Sequence, residues 1–210
     1  GKGYEPAEKD RSGIYHSVGA FDIVKGIHPV LDQEKHSWSQ SVSDHVEYLM
    51  NKHDDICVIT PAMITGSCLQ RIFKNYPDRS FDVGIAEEHA MTLAAGLSQG
   101  KEFPFLSVYS SFFQRAYDQL NHDIARMNLP CLIGIDRAGL VGGDGATHHG
   151  VFDIGLIAPI PGVIIMAPKD EEEARVAKAQ AEKDKDDANR EDWNIKNVKN
   201  AEGKLVNKPK

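Results

Sequence analysis

Three side chains that could perform acid–base chemistry adjoin at Glu87, Glu88 and His89, within the stretch FDVGIAEEHAMTLAAGL. Carboxylates and imidazoles are the groups that enzymes most often use to move protons. A structural explanation exists as well, because carboxylates in the first turn of a helix are stabilised by the positive end of its dipole. The residues alone leave both interpretations of Glu87 open.

Two more polar clusters follow apolar runs. Tyr109 begins YSS after FPFLSV, and Asp136 begins the glycine-rich DRAGLVGGDGATHHG after PCLIGI. The glycines would let backbone approach a ligand closely, but the loop lacks the spacing of nucleotide-phosphate motifs. The histidines of this loop and the nearby His122–Asp123 pair lack zinc-site spacing, so we expect no metal site within this chain.

A third pattern lies in SFFQRAYDQLNHDIARMN, where Phe112, Arg115 and Gln119 stand at i, i+3 and i+7. This spacing places them on one face of a helix. An ordinary amphipathic helix with a surface arginine would show the same spacing. The position directly after an apolar run favours a ligand site, with Phe112 as an aromatic plate and Arg115 as a cationic clamp.

The elements that must position these residues alternate along the chain. Periodicity predicts helices over 39–53, 69–76, 86–99, 111–128 and from Asp170, and strands over 56–60, 80–85, 103–110, 130–136 and 162–168. Continuously apolar strands between helices indicate an α/β domain, a doubly wound, mostly parallel sheet with helices on both faces. In such sheets ligands bind beyond the carboxyl ends of the strands, where the three polar clusters fall.

Composition excludes several classes of protein. The 210 residues suffice for one substantial core, with 41% apolar and 26% charged residues. A net charge of −7 argues against nucleic acid or an anionic membrane surface as the partner. No apolar run approaches the ~20 residues needed to span a bilayer. Three cysteines without a C-x-x-C pair suggest no disulfide framework and a cytoplasmic setting.

Three motifs together identify a family. YPDRSFDVGIAEEHAMTLAAGL, YSSFFQRAYDQLNHDIA and IDRAGLVGGDGATHHGVFDIG resemble the central, pyrimidine-binding domain of the 1-deoxy-D-xylulose-5-phosphate synthases, thiamine-diphosphate enzymes of the transketolase superfamily. The opening GKGYEPAEKD resembles the segment that joins the first domain of those enzymes to the second. The resemblance divides the chain into a linker-like segment, 1–38, a pyrimidine-binding domain, 39–182, and a charged tail, 183–210, which we expect to be disordered.

The resemblance implies condensation of pyruvate with glyceraldehyde 3-phosphate and loss of CO₂. The product, 1-deoxy-D-xylulose 5-phosphate, supplies isoprenoid, thiamine and pyridoxal synthesis. The implied cofactors are thiamine diphosphate and Mg²⁺. By the same resemblance Glu87 hydrogen-bonds N1′ of the cofactor's aminopyrimidine and favours its imino tautomer, whose nitrogen takes the proton from C2 of the thiazolium. Glu88, one position along the helix, faces elsewhere and is expected to be structural.

Further roles follow from the same motifs. Phe112 is implied to pack on the aminopyrimidine, and Tyr109 and Arg115 to bind the acceptor sugar, Arg115 through its phosphate. Asp144 and His148 are implied to contact the pyruvate-derived intermediate and the acceptor, and His16 to reach into the same pocket from the linker.

The sequence also departs from the superfamily pattern. GGDGATHH has no asparagine pair downstream, so it is not the motif that binds Mg²⁺ and diphosphate, and the third domain of the family has no counterpart. We therefore expect turnover to need an N-terminal diphosphate-binding domain as partner. We also expect a homodimer, since the stripe formed by Ala90, Ala94, Ala95 and Gly96 permits close helix packing. The expected location is bacterial cytoplasm, or plastid stroma in a plant-like source.

Two alternatives remain open at this point. One is a non-catalytic module that binds or regulates a partner chain. The other, which QRAYDQ disfavours, is a split transketolase.

Overall fold

The structure is a computed structural model that describes residues 3–9, 15, 37–170 and 172–174. The chain divides into two compact units, Gly1–Trp38 and Ser39–Lys210. In the first unit, helix α1 spans Glu5–Glu8 and begins with a proline in its first turn, where the missing N–H of proline has no helical partner to lose. Tyr4 and Tyr15 pack edge to face with ring centroids 5.7 Å apart.

The elements that follow alternate between helix and strand. They are α2 (Trp38–Met50), β1 (Ile56–Thr60), α3 (Gln70–Asn75), β2 (Ser80–Asp82), α4 (Glu87–Gln99), β3 (Phe103–Tyr109), α5 (Ser110–Phe113), α6 (Tyr117–Gln119), β4 (Leu132–Asp136) and α7 (Asp153–Ile157). Short 3₁₀ turns occupy Pro77–Arg79, Gln114–Ala116 and Ala146–His148, and a π-helical segment covers Leu120–Ala125.

The four described strands form one parallel sheet in the order β2-β1-β3-β4. The register pairs Thr60 with Asp82 and Tyr109 with Asp136, so the last residues of all four strands lie along one edge. In this order β2 lies on one side of β1 and β3 lies on the other, so the chain reverses its direction across the sheet after β2. This reversal creates a crevice between the carboxyl ends of β1 and β3, which is where ligands bind in such folds.

Helices cover both faces of the sheet because strand side chains alternate between them. On one face, Ile56, Val58 and Phe105 pack against α2 and α3. On the other, Ile59, Leu106 and Val108 pack against α4, α7 and the helical segment that begins at Ser110. The predicted α/β class is therefore confirmed.

Two arginines secure α2 and α3 beneath the sheet. Arg79 donates to the carbonyls of Met50 and His53 at 3.2 and 2.9 Å and so satisfies acceptors at the end of α2. Arg71 of α3 pairs with the nearly buried Glu47 of α2.

Three sequence-based predictions of secondary structure were wrong. The segment 162–168 is not a strand: residues 163–168 have no regular structure, and Ile164 and Met166 are exposed. Apolar character alone does not make a strand, because the backbone also needs the edge of a neighbouring strand for its hydrogen bonds. The strand predicted over 80–85 ends at Asp82, and the helix predicted over 111–128 is interrupted by the 3₁₀ turn and the π-helical segment.

The small-residue stripe of α4 is used within the chain. Ala90, Ala94 and Ala95 are buried in the core against the sheet, and Gly96 alone of the four is exposed. The stripe therefore does not supply the surface for association that the sequence suggested.

A helix N-cap predicted at Asp170 is confirmed by its side chain, whose Oδ1 accepts the N–H of Glu173 at 2.8 Å. The predicted tail, 183–210, and the linker residue His16 lie outside the described residues. Within the described part of the chain, no helix is both long and apolar enough to cross a membrane.

Candidate functional site

The loops that follow the four strands meet at the carboxyl edge of the sheet. One side chain joins two of them: Asp82, the last residue of β2, accepts the N–H groups of Ala62 and Gly84 on the same oxygen, at 2.8 and 3.0 Å. Ala62 lies in the loop after β1 and has a positive φ of 59°. The turn from β2 into α4 is thereby fixed relative to the loop after β1, and this turn delivers Glu87.

Glu87 is the first residue of α4 and is only 3% exposed. Its Oε1 accepts a hydrogen bond from Nη1 of Arg115 at 3.0 Å. Glu88 and His89, the next two residues, are exposed. The structure thus separates the acidic pair as predicted, with one carboxylate inside the site and one in solvent.

Arg115 links this carboxylate to an aromatic plate. The rings of Tyr109 and Phe112 are stacked, with centroids 5.7 Å apart and an interplanar angle of 16°. The His148 ring approaches Phe112 edge-on at 5.4 Å, and the Arg115 guanidinium lies 5.8 Å from the Phe112 centroid. These distances are typical of aromatic and cation–π contacts.

The Tyr109 side chain fits against a glycine in the loop after β1. A Cβ placed on Gly66 would lie 2.3 Å from the Tyr109 hydroxyl oxygen, so no other residue fits there unless the tyrosine moves. Burial raises the pKa of Tyr109, although the nearby Arg137 opposes the shift. The phenol is therefore a neutral hydrogen-bonding group at physiological pH.

The sequence did not predict a role for Arg137, which the structure places in the site. It directly follows β4, has a positive φ of 56°, and places its guanidinium 4.5 Å from the Tyr109 ring centroid. It also forms an ion pair with Asp144 in the glycine-rich loop. The arginine after an apolar strand in CLIGIDRAG was a visible signal, but its pairing with Asp144, seven positions further along the loop, was not.

The glycine-rich loop is closed by its own backbone and packs against Ser110, the first residue of α5. Gly139 and Gly150 donate to each other's carbonyls at 2.8 Å. A Cβ on Gly150 would lie 2.3 Å from Oγ of Ser110, which in turn donates to the buried Asp153 at 2.9 Å. His149 accepts the Val141 N–H at 3.0 Å on Nδ1, so it supports the loop.

Asp136 lies at the end of β4, opposite Tyr109 in the register. Burial raises the pKa of its carboxyl group, while a hydrogen bond from Ser39 at 3.1 Å lowers it in part. The strand end that carries the glycine-rich loop is therefore partly desolvated.

The structure brings together five of the residues singled out from the sequence: Glu87, Arg115, Phe112, Tyr109 and His148. Asp144 joins them through Arg137. His148 also lies close to its neighbour Thr147, with Nδ1 and Oγ1 2.9 Å apart. His16 has no described position.

A buried carboxylate, an aromatic plate and two arginines, Arg115 and Arg137, lie at the switch point of a parallel sheet. These features define an α/β domain suited to a planar, hydrogen-bonding ligand. A family model described as "Transketolase, pyrimidine binding domain" matches residues 34–188. The chain belongs to this family, and the family identified from the three motifs is confirmed.

Two similar proteins of known name come from bacteria. The 1-deoxy-D-xylulose-5-phosphate synthase of Listeria innocua is 51% identical over 175 residues, and that of Bacillus velezensis is 52% identical over 175 residues. Each alignment covers 83% of this chain and 28% of the relative. The chain thus spans just over a quarter of the length of these relatives.

Solved structures support the fold. A chain described as "Split gene transketolase, inactive beta4 tetramer" is 29% identical, with a TM-score of 0.59 over 68% of this chain and 47% of that chain. Transketolase from Leishmania mexicana has a TM-score of 0.62 over 68% of this chain and 23% of its own, at 19% identity, which supports the fold alone.

The site fits the aminopyrimidine half of thiamine diphosphate in its chemistry. Glu87 offers an acceptor in a buried position, Phe112 an aromatic surface, and Ser111 Oγ is a buried polar atom without a hydrogen-bond partner among the described residues. In the described ranges, no group of three or more His, Cys, Asp or Glu side chains is arranged to hold a metal ion.

Proposed function

We propose that this chain supplies the pyrimidine side of the active site of a 1-deoxy-D-xylulose-5-phosphate synthase, a thiamine-diphosphate-dependent transferase. The reaction condenses pyruvate with glyceraldehyde 3-phosphate, releases CO₂ and forms 1-deoxy-D-xylulose 5-phosphate for isoprenoid, thiamine and pyridoxal synthesis. The observation that carries the proposal is the buried Glu87 carboxylate at the start of α4, which Arg115 links to the Tyr109–Phe112 plate. Its support from sequence is the 51% identity to synthases of this name.

The proposed roles follow from position. Glu87 accepts a hydrogen bond from the aminopyrimidine and Phe112 supports its ring. When bound, the cofactor supplies the carbon nucleophile that attacks pyruvate. A buried carboxylate suits the task of holding a proton donor at one atom, because water does not compete for it.

The substrate side is proposed to lie across the plate from Glu87. Tyr109 is a neutral donor and acceptor there, and His148 and Asp144 are the polar groups of the loop that reach the pyruvate-derived portion and the acceptor. Arg115 has four N–H donors beyond the one on Glu87, which suits the phosphate of glyceraldehyde 3-phosphate. His16 is proposed to enter the same pocket from the linker-like segment, 1–38.

Binding of the diphosphate and Mg²⁺ is assigned to a partner. We propose that an N-terminal diphosphate-binding domain carries Mg²⁺ and the diphosphate, and that it meets the pyrimidine-binding domain, 39–182, at the carboxyl edge of the sheet. Ile85 and Leu140 are 83% and 82% exposed on loops at this edge, and Phe152 is exposed after the glycine-rich loop. Such side chains are typical of a surface that another domain covers.

The assembly is proposed to be at least dimeric and cytoplasmic, as expected of bacterial enzymes of this type. A neighbour of this chain carries the words "inactive beta4 tetramer" in its title. By analogy, this chain without a diphosphate-binding partner is expected to associate with itself and to be inactive.

The test measures CO₂ release from pyruvate with thiamine diphosphate, Mg²⁺ and glyceraldehyde 3-phosphate. The chain is assayed alone and with the supplied N-terminal domain of such a synthase. We expect turnover only in the mixture, and we expect Glu87→Ala to abolish it while Glu88→Ala, in the exposed neighbour, leaves it intact.

Other outcomes have definite meanings. Turnover by the chain alone would place the diphosphate site within it, contrary to the proposal. No turnover in a mixture that demonstrably associates would favour a non-catalytic module that binds or regulates its partner. Turnover with a ketose donor and no use of pyruvate would indicate a split transketolase.

A further inference from the structure

The Arg115 guanidinium links the two groups that the proposed function assigns to the cofactor. It donates to Oε1 of Glu87 at 3.0 Å and lies 5.8 Å from the centre of the Phe112 ring. Its own side chain is 52% exposed, whereas Glu87 is 3% exposed. The arginine therefore reaches from solvent to a buried carboxylate.

A carboxylate removed from water needs a compensating charge or hydrogen bonds. Among the residues that the structure describes, Arg115 is the one group that donates a hydrogen bond to the Glu87 side chain. The second oxygen, Oε2, accepts no hydrogen bond from the described residues. Arg115 thus holds one oxygen and leaves the other for a donor that comes from outside.

We propose that Arg115 is a positioning residue for Glu87, resting on the proposed function of the site: it compensates the buried charge, fixes Oε1 and so presents Oε2 to the aminopyrimidine. The sequence motifs implied a role for Arg115 with the acceptor phosphate alone. The two roles are compatible because guanidinium has five donors in a fork and one is engaged here. They make different predictions for steps that involve no acceptor.

The local structure explains why an arginine can do this. Arg115 lies in the 3₁₀ turn Gln114–Ala116, between Phe112 and the next helical segment, and the same turn buries Ala116 in the core. The backbone is therefore held on the core side while the long side chain extends past the ring of Phe112 to α4. A lysine would carry the charge without the fork, so it should retain only part of the effect.

The first experiment uses this chain alone. Thermal unfolding is compared for the wild type, Arg115→Met, Glu87→Gln and the double variant, with Arg126→Met as a matched control at an exposed position past the π-helical segment. We expect Arg115→Met to lower the melting temperature by roughly 5 °C because it strands a buried carboxylate. The double variant should melt above Arg115→Met, since glutamine carries no charge to strand. Additive effects of the two single changes would overturn the pairing.

The second experiment uses the chain mixed with the supplied diphosphate-binding domain, thiamine diphosphate and Mg²⁺, without pyruvate or acceptor. Exchange of the C2 proton of the cofactor with D₂O is followed by NMR. We expect Arg115→Met to slow exchange at least about tenfold, Arg115→Lys to slow it less, and Arg126→Met to leave it unchanged.

The result that overturns the inference is normal C2 exchange in Arg115→Met together with a raised KM for glyceraldehyde 3-phosphate, which would mean that the arginine serves the phosphate alone. Failure of the proposed function looks different, because the wild-type mixture would then show no exchange above that of free cofactor. In that case the unfolding cycle in the chain alone still decides whether Arg115 positions Glu87.

Discussion

Substitution of Gly66 by alanine tests how Tyr109 of the aromatic plate packs against the loop after β1. The φ of Gly66 lies outside the left-handed region, so alanine is acceptable to the backbone, but the new Cβ would lie 2.3 Å from the Tyr109 hydroxyl and 3.0 Å from Met63 Cε. Ordinary contacts begin near 3.4 Å, so the hydroxyl must retreat by about 1 Å. Overpacking of this kind costs about 1–3 kcal/mol, from which about 0.4–1 kcal/mol is recovered because alanine restricts the unfolded chain.

The net expectation for Gly66→Ala is a loss of about 1–2 kcal/mol, or roughly 2–8 °C in melting temperature. The assay is thermal unfolding followed by circular dichroism, with near-ultraviolet spectra to report on Tyr109. The matched background is Tyr109→Phe, in which the clashing oxygen is absent and the nearest remaining ring carbon lies at 3.0 Å. There the same change should cost less than about 1 kcal/mol.

A second comparison controls for the general effect of replacing glycine. Gly96→Ala, on the exposed side of α4 with nothing within 4 Å of the new Cβ, should stabilise by about 0.5–1 kcal/mol. The reasoning is refuted if Gly66→Ala stabilises the protein as Gly96→Ala does, or if it is equally costly with and without the Tyr109 hydroxyl.

Three further outcomes are expected. Arg79→Met should destabilise the chain by about 1–3 kcal/mol in denaturant unfolding, because it leaves carbonyls at the end of α2 without their donor. Ser110→Ala should cost about 1–2 kcal/mol because it leaves Oδ2 of the buried Asp153 without its donor, and hydrogen exchange of the Gly139 and Gly150 amides should speed up; unchanged protection there would contradict the anchoring of the loop. The pKa of Asp136 is raised by burial from its ordinary 3.8, so the folded state is penalised increasingly as pH rises from about 4 through the folded pKa. The melting temperature of Asp136→Asn should therefore rise relative to wild type between pH 4 and 7, and a difference independent of pH would contradict this.

Much of the fold could be predicted because its local and long-range preferences agree. β1 and β4 are short apolar runs bounded by polar or proline residues, and α4 has both an apolar face and acids in its first turn. The run 162–168 shows where such reasoning stops. Its composition is typical of a strand, but pairing depends on which sheet edge is available, and that is a property of the assembled sheet.

The site could be predicted in its parts but not in its contacts. The strand-end rule correctly placed Glu87, Tyr109 and the glycine-rich loop at one edge. The ion-pair partners could not be predicted from the sequence, because Arg115 and Glu87 are 28 residues apart. Their contact depends on how the interrupted helix after β3 crosses α4. The spacing i, i+3, i+7 assumed a regular helix, whereas the structure has a 3₁₀ turn at Arg115.

The parallel arrangement of the sheet has a consequence for folding. Each loop of the site follows a different strand, and neighbouring parallel strands are joined only by long crossovers, so no short peptide from a single loop contains the site residues together. Contacts between distant parts of a sequence form slowly and late relative to local ones. The pairing of Glu87 with Arg115 should therefore form only after β1 and β3 have paired. A refolding experiment could use this pairing as a probe of the last stage of folding.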